Sequence, residues 1–165
     1  MTQPSRLDRL LAGRPPDLAN AIAASRMLFR VAHLLEARID KALAPFGIDM
    51  REYLALVLIA DDAVEPLRPS DLSTTLDATR TQITRLLDGL EKKGLAQRRP
   101  GSSSDRRSLH LAQTDAGRDL LKRSAPAVHT AYQAGWAAVG TDGTVSALRV
   151  LRLMHKDLAP PPESP

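Results

Sequence analysis

The stretch from Asp71 to Leu95 holds two helical patterns separated by only a few residues, and no other feature constrains the fold as much. Pro69 stands where the first turn of a helix tolerates proline, so a short helix is predicted from Pro69 to Leu76. Asp77-Ala78 makes a tight turn. Thr79-x-x-Gln82 has the spacing of a capping box, in which a hydroxyl and an amide side chain satisfy each other's backbone N–H groups. The helix it opens, Arg80 to Lys93, carries Ile83, Leu86, Leu87 and Leu90 as its inward stripe, and Gly94 stops it. Two short strands follow, Leu95 to Arg99 and Arg107 to Ala112, around the turn Pro100 to Arg106. A helix-turn-helix with a hairpin behind it places one helix for a major groove and the hairpin for the neighbouring minor groove.

The rest of the chain is helical. Aromatic residues make up 3% of 165 positions, and the 43% hydrophobic content is largely aliphatic, so the core is one of helices. Asp17 suits an N-cap, and Leu18 to Ala44 runs without proline or glycine, with Ile22, Leu28, Phe29, Ala32, Leu35, Ile39 and Leu43 at helical spacing. Asp49 and Glu52 form a second capping box, opening an almost wholly apolar helix from Met50 to Ala60 that should be buried all round. Thr114 caps a helix running to about Val139, with a kink expected at Pro126. Gly140 to Gly143 reads as a turn, and a last helix spans Thr144 to Leu158. The chain thus divides into a mobile lead (1–16), dimerisation helices (17–45 and 114–158), a DNA-binding lobe (46–113) and a disordered tail (159–165). Long helices need partners, so the two ends of the chain are expected to pack together and against a second subunit.

Charge is concentrated where the reading elements lie. The whole chain carries +4, but Thr79 to Arg107 alone holds eight basic and three acidic residues. Such a local excess favours a polyanion. On the second helix Arg80, Thr81, Gln82, Thr84 and Arg85 form the expected contact set: Arg can pair with guanine, Gln with adenine, Thr with thymine methyls or phosphates. On the hairpin Arg106 is the minor-groove candidate, with Arg98, Arg99 and Arg107 nearby. Asp105 is expected to hold Arg99 or Arg107 in place. The bland alternative is that Thr79 and Gln82 only cap, that Arg85 is only solvated and that the hairpin is a charged, solvated turn.

Other classes find little support. There is no cysteine, which removes disulfides, thiolate metal sites and thiol redox sensing. His33, His110, His129 and His155 are scattered without metal-ligand spacing. No nucleophile motif or phosphate-binding glycine loop stands out, and Asp61-Asp62 reads as a turn rather than a catalytic dyad, so neither an enzyme nor a cofactor is expected. No apolar run approaches a membrane span and no signal-peptide core is present, so a cytoplasmic location is expected.

The run Thr81-Gln82-Ile83-Thr84-Arg85-Leu86-Leu87-Asp88-Gly89-Leu90-Glu91-Lys92-Lys93-Gly94-Leu95, then Arg98-Arg99, then Asp105-Arg106-Arg107 leading to Thr114-x-x-Gly117, resembles the MarR family of bacterial regulators over roughly residues 17 to 158. The resemblance implies a mostly α fold with a small β-wing, a winged helix-turn-helix homodimer joined through its N- and C-terminal helices. It implies binding to pseudo-palindromic operators, with half-sites about one helical turn apart. It implies a repressor released by a small aromatic or heteroaromatic acid. Arg30-Val31-Ala32-His33, with Arg51 and Tyr53, is similar to members that sense aromatic carboxylates: Arg30 or Arg51 would pair with the carboxylate while His33 and Tyr53 fix a ring substituent. Arg30 as a surface residue and His33 as an interface histidine is the competing assignment. Two positions depart from the family pattern. Gln113 replaces a usual leucine, and Asp77 stands where a turn glycine is expected. The remaining alternatives are an effector-independent or nucleoid-type DNA-binding protein, and a winged helix used for protein contacts.

Overall fold

The computed structural model describes residues 12–60, 67–100 and 109–159. Helix α1 spans Pro16–Leu43 and passes through a 3-10 turn, Ala44–Phe46, into α2, Met50–Ala60. Helices α3, Pro69–Thr75, and α4, Arg80–Lys92, form the helix-turn-helix. Strands β1, Ala96–Pro100, and β2, Leu109–Gln113, pair antiparallel with Ala96 opposite Gln113 and Pro100 opposite Leu109. Helices α5, Asp115–Trp136, and α6, Gly140–Leu158, complete the chain. The mostly helical winged helix-turn-helix read from the sequence is the fold observed.

Local chemistry sets most of these boundaries. At α2 the Glu52 N–H donates to Asp49 Oδ1 at 2.8 Å and the Asp49 N–H to Glu52 Oε2 at 3.1 Å, the reciprocal box expected. Asp40, near the end of α1, adds a further cap by accepting from the Met50 N–H at 2.7 Å. The end of α3 is a Schellman closure, with Ala78 N–H donating to the Ser73 carbonyl at 3.0 Å and Asp77 N–H to that of Thr74 at 3.4 Å. This requires a left-handed residue, and Asp77 supplies it with φ 47°. Aspartate reaches that region more readily than most side chains. The same closure ends α4, with Gly94 at φ 69° and Leu95 N–H donating to the Leu90 carbonyl at 2.9 Å.

Several boundaries differ from expectation. Proline takes the first turn of α1, so Asp17 lies inside the helix near its positive end rather than capping it. Strand β1 runs one residue later than predicted, β2 extends one residue further, to Gln113, with its predicted start at Arg107 outside the described residues, and α5 ends at Trp136. Helix α6 starts at Gly140, not Thr144; the turn is Ala137 to Val139, and Thr144 Oγ1 donates back to the Gly140 carbonyl at 2.7 Å. Helix α2 is not buried all round either, since Arg51, Val57 and Ala60 face outward.

The core joins Ile39 and Leu43 of α1 to Tyr53, Ala55, Leu56 and Ile59 of α2, Leu72 of α3, and Ile83, Leu87 and Leu90 of α4. Leu95, Ala96 and Leu111 close it from the wing, and Leu120, Val128 and Ala131 from α5. Gln113 is buried among them and donates from Nε2 to the Leu56 carbonyl at 3.4 Å, so the amide is accommodated at the base of the wing. Helix α6 has no buried residue. Among the described residues no helix is long and apolar enough to cross a membrane.

Candidate nucleic-acid interface

Helix α4 is divided lengthwise. Ile83, Leu87 and Leu90 are buried, while Arg80, Thr81, Gln82, Thr84 and Arg85 are exposed together over its first turns. The 3.6-residue repeat alone produces this: three apolar positions on one face leave the polar set on the other. Arg80 and Arg85 have no hydrogen-bond or ion-pair partner among the described residues, so both guanidinium groups remain available to a ligand. Thr84 Oγ1 donates to the Arg80 carbonyl at 2.9 Å. Gln82 is less available. Its Oε1 accepts from the Thr79 N–H at 2.9 Å and the Thr79 hydroxyl at 3.0 Å, so bidentate reading of adenine would break the capping box.

The wing's residues divide by strand parity. Side chains alternate along a strand, and Arg98 points at α4. Its Nη2 lies 2.8 Å from Asp88 Oδ1, its Nη1 pairs with Glu91 Oε2, and its own N–H donates to Glu91 Oε1 at 2.8 Å. Arg99 points the other way and is exposed. With the Gln97 amide turned to match, Gln97 Oε1 accepts from Arg99 Nε at 3.2 Å and Nη2 at 2.6 Å. The expected roles of Asp105, Arg106 and Arg107, and the Asp61-Asp62 turn, fall outside the described residues.

A second ion pair fixes the far end of α4. Lys93 Nζ sits 2.7 Å from both Glu52 carboxylate oxygens and 2.8 Å from the Gly47 carbonyl. The Glu52 side chain is only 11% exposed, and removing its partner would leave a largely buried charge uncompensated. A cation at a helix C-terminus is also favoured by the helix dipole. Sequence reading found the capping role of Glu52 but missed this pair, which joins residues 41 positions apart.

The four effector candidates do not share one surface. Arg30 and His33 are exposed on α1. Arg51 and Tyr53 are two residues apart on α2, which turns them about 200° from each other. Arg51 lines a cavity of about 230 Å³ with Leu76, Ala78, Gln82, Ile83, Arg85 and Leu86, against the recognition helix. Tyr53 is buried instead, and burial, with a smaller effect from Tyr132 on α5, raises its pKa above the ordinary 10.0. The fold therefore disfavours the phenolate. The stability this contributes is complete below about pH 10 and declines as pH rises through the elevated folded value. Tyr53→Phe should flatten the loss of urea midpoint between about pH 9 and pH 11. Identical alkaline slopes for the two proteins would show that Tyr53 titrates as in the unfolded chain.

Comparison with known proteins places this geometry. A sequence model described as MarR family matches residues 48–109. The transcriptional repressor MprA of Escherichia coli K12 is 38% identical over 108 residues, which is 66% of this chain and 60% of MprA. The aligned part therefore spans somewhat less than two thirds of that relative. The structure of CouR from Rhodococcus jostii RHA1 bound to p-coumaroyl-CoA superposes with a TM-score of 0.69 at 30% identity, covering 83% of this chain and 93% of CouR. Sco3205 of Streptomyces coelicolor, a MarR family regulator solved in complex with DNA, superposes with a TM-score of 0.78 at 27% identity, covering 86% of this chain and 89% of that one. These homologues and this fold are those of transcriptional regulators, not enzymes.

Proposed function

The chain belongs to the MarR family, and from that premise we propose that it is a homodimeric, sequence-specific DNA-binding regulator, a repressor released from its operator by a small aromatic or heteroaromatic carboxylic acid. The observation that carries the DNA-reading part is the exposed pair Arg80 and Arg85 on the leading turns of α4, without partners among the described residues, beside a wing fixed to the same helix. Thr81, Thr84 and Gln82 flank them, Arg99 extends the basic surface onto the wing, and Arg106 and Arg107 are the wing's groove candidates. The two lobes of the dimer then meet two half-sites of a pseudo-palindrome.

Release requires an effector that binds the free conformation more tightly than the DNA-bound one. Of the two arginines considered as the carboxylate's partner, Arg51 has the stronger support, because its cavity also contains Gln82 and Arg85 of the recognition helix. Arg30, with His33 and Tyr53 to fix a ring substituent, is the alternative. The CouR complex supports an aromatic ligand class for this fold. An effector-independent regulator is the second reading, and the separation of Arg51 from Tyr53 on α2 favours it.

Binding to the DNA upstream of its own gene, measured at two salt concentrations with and without a panel of aromatic and heteroaromatic carboxylates, tests both levels. Selective binding abolished by one compound is the expected result. Selective binding that no compound alters leaves the effector-independent regulator. Arg85→Ala should weaken specific binding by about 1–3 kcal/mol if the guanidinium reads a base. An unchanged affinity removes Arg85 from the reading set.

A further inference from the structure

We infer that Arg98 is a positioning residue: it does not touch DNA but locks the wing to the recognition helix, so that the two reading elements present one surface. This rests on the DNA-reading proposal above. Arg98 resembles its neighbours in composition, and only its surroundings set it apart.

Three acceptors of α4 converge on it. Glu91 grips it at both ends, Oε1 taking the backbone N–H at 2.8 Å and Oε2 pairing with Nη1. Asp88 Oδ1 takes Nη2 at 2.8 Å, and the Thr84 carbonyl lies 3.5 Å from the same nitrogen. The Arg98 side chain is 23% exposed. A guanidinium offers five N–H donors in a rigid fork, which allows one residue to bridge two carboxylates and a carbonyl. Asp88 and Glu91 are three residues apart and so share one flank of α4. Together with Arg98 they carry one net negative charge, a poor anchor for phosphate. Arg80 and Arg85 on the same helix have no such partners among the described residues.

The clasp also answers two questions the fold raises. Carboxylates beside a DNA-reading face repel the phosphates, yet Asp88 and Glu91 stand there. Their role as the receptor for Arg98 accounts for them. The chain also turns from α4 into β1 at Gly94, whose backbone is left-handed. A link from Arg98 across to Asp88 and Glu91 fixes that hinge from outside.

The test is a four-protein cycle of the unmodified chain, Arg98→Met, Glu91→Gln and the double variant, with Asp88→Asn and Arg98→Lys beside it. The probe is a duplex that the unmodified protein selects from a random-sequence pool, titrated over a range of salt. Amide deuterium exchange of residues 96–100 and 109–113 is followed in the free proteins, with 115–136 as the internal control. Glu91→Gln is expected to weaken binding by about tenfold although it removes a negative charge, and the double variant should be no worse than either single one. Asp88→Asn should act in the same direction. The slope of log affinity against log salt stays unchanged, since no phosphate contact is lost, and exchange rises in the wing alone. Arg98→Lys should not restore binding, because one ammonium cannot bridge both carboxylates. Binding by Glu91→Gln that equals or exceeds the unmodified level overturns the inference, as does additivity in the double variant. So does a salt slope lowered by about 0.9 in Arg98→Met, the signature of a lost phosphate. If no duplex is selected by the unmodified chain, the DNA-reading proposal fails; the exchange measurement still decides the clasp, and an unaltered wing refutes it.

Discussion

Gly117→Ala is expected to destabilise the protein by about 3 kcal/mol or more. Gly117 is the third residue of α5, where Thr114 caps the helix by accepting from the Gly117 N–H at 3.0 Å. The same hydroxyl donates to the Gly94 carbonyl at 2.7 Å, and the Thr114 N–H donates to the Leu95 carbonyl at 3.2 Å. The start of α5 is thereby stitched to the end of the recognition helix. A methyl group on Gly117 would fall inside van der Waals distance of the Leu95 carbonyl oxygen, 3.1 Å from its carbon and 2.9 Å from Gln113 Cγ. The Leu95 carbonyl is backbone, fixed between the Gly94 closure and the first residue of β1. It cannot yield without opening the joint between α4 and the wing. Gly89→Ala is the control, because its methyl would meet only Glu52 Oε1 at 3.5 Å, an ordinary contact. In a helix interior that change should stabilise by about 0.5–1 kcal/mol. Urea unfolding of the three proteins separates the two effects. A Gly117→Ala protein within about 0.5 kcal/mol of the unmodified chain would mean that the joint is soft.

The DNA-reading lobe was legible because its instructions are local. Thr79 and Gln82, Asp49 and Glu52, and Thr114 with Gly117 are each three positions apart, and each pair forms the hydrogen bonds its spacing implies. Asp77 stands where the family pattern has a turn glycine, and it takes the left-handed turn that position requires. What sequence could not supply was partnership across the fold. Arg98 and Arg85 look alike as letters, but one is enclosed by two carboxylates and the other is open. Arg51 and Tyr53 are close in sequence, yet helical phase turns them apart. The start of α6 was misplaced because Gly140 and Gly143 read as breakers. In the structure Gly140 does carry a left-handed turn, φ 66°, but the helix resumes at once from it and Gly143 is absorbed into its first turn, where the leading N–H groups have no intrahelical partner in any case.

Removing residues 144–158 should turn a dimer into monomers and lower affinity for a two-half-site operator by about 100-fold or more. The reason lies in what α6 leaves uncovered. Val145, Leu148, Val150, Leu153, Met154 and Leu158 are all exposed within one helix that has no fully buried residue. On α1, Leu18, Met27, Phe29, Val31 and Leu34 are exposed in the same way, while Ile39 and Leu43 at its far end are fully packed. An isolated 19-residue helix gains too little from its own hydrogen bonds to be stable in water, and apolar surface of this extent marks an interface. A second copy of the chain can cover both helices at once. Each lobe then binds its half-site with the other already attached, and the second contact becomes intramolecular. The truncation leaves the core of the DNA lobe intact, since no residue of α6 contributes to it. Sedimentation should therefore report a folded monomer that binds a single half-site with its affinity little changed. A truncated protein that still sediments as a dimer would locate the interface elsewhere. A monomer that keeps full operator affinity would show that the two lobes read DNA independently.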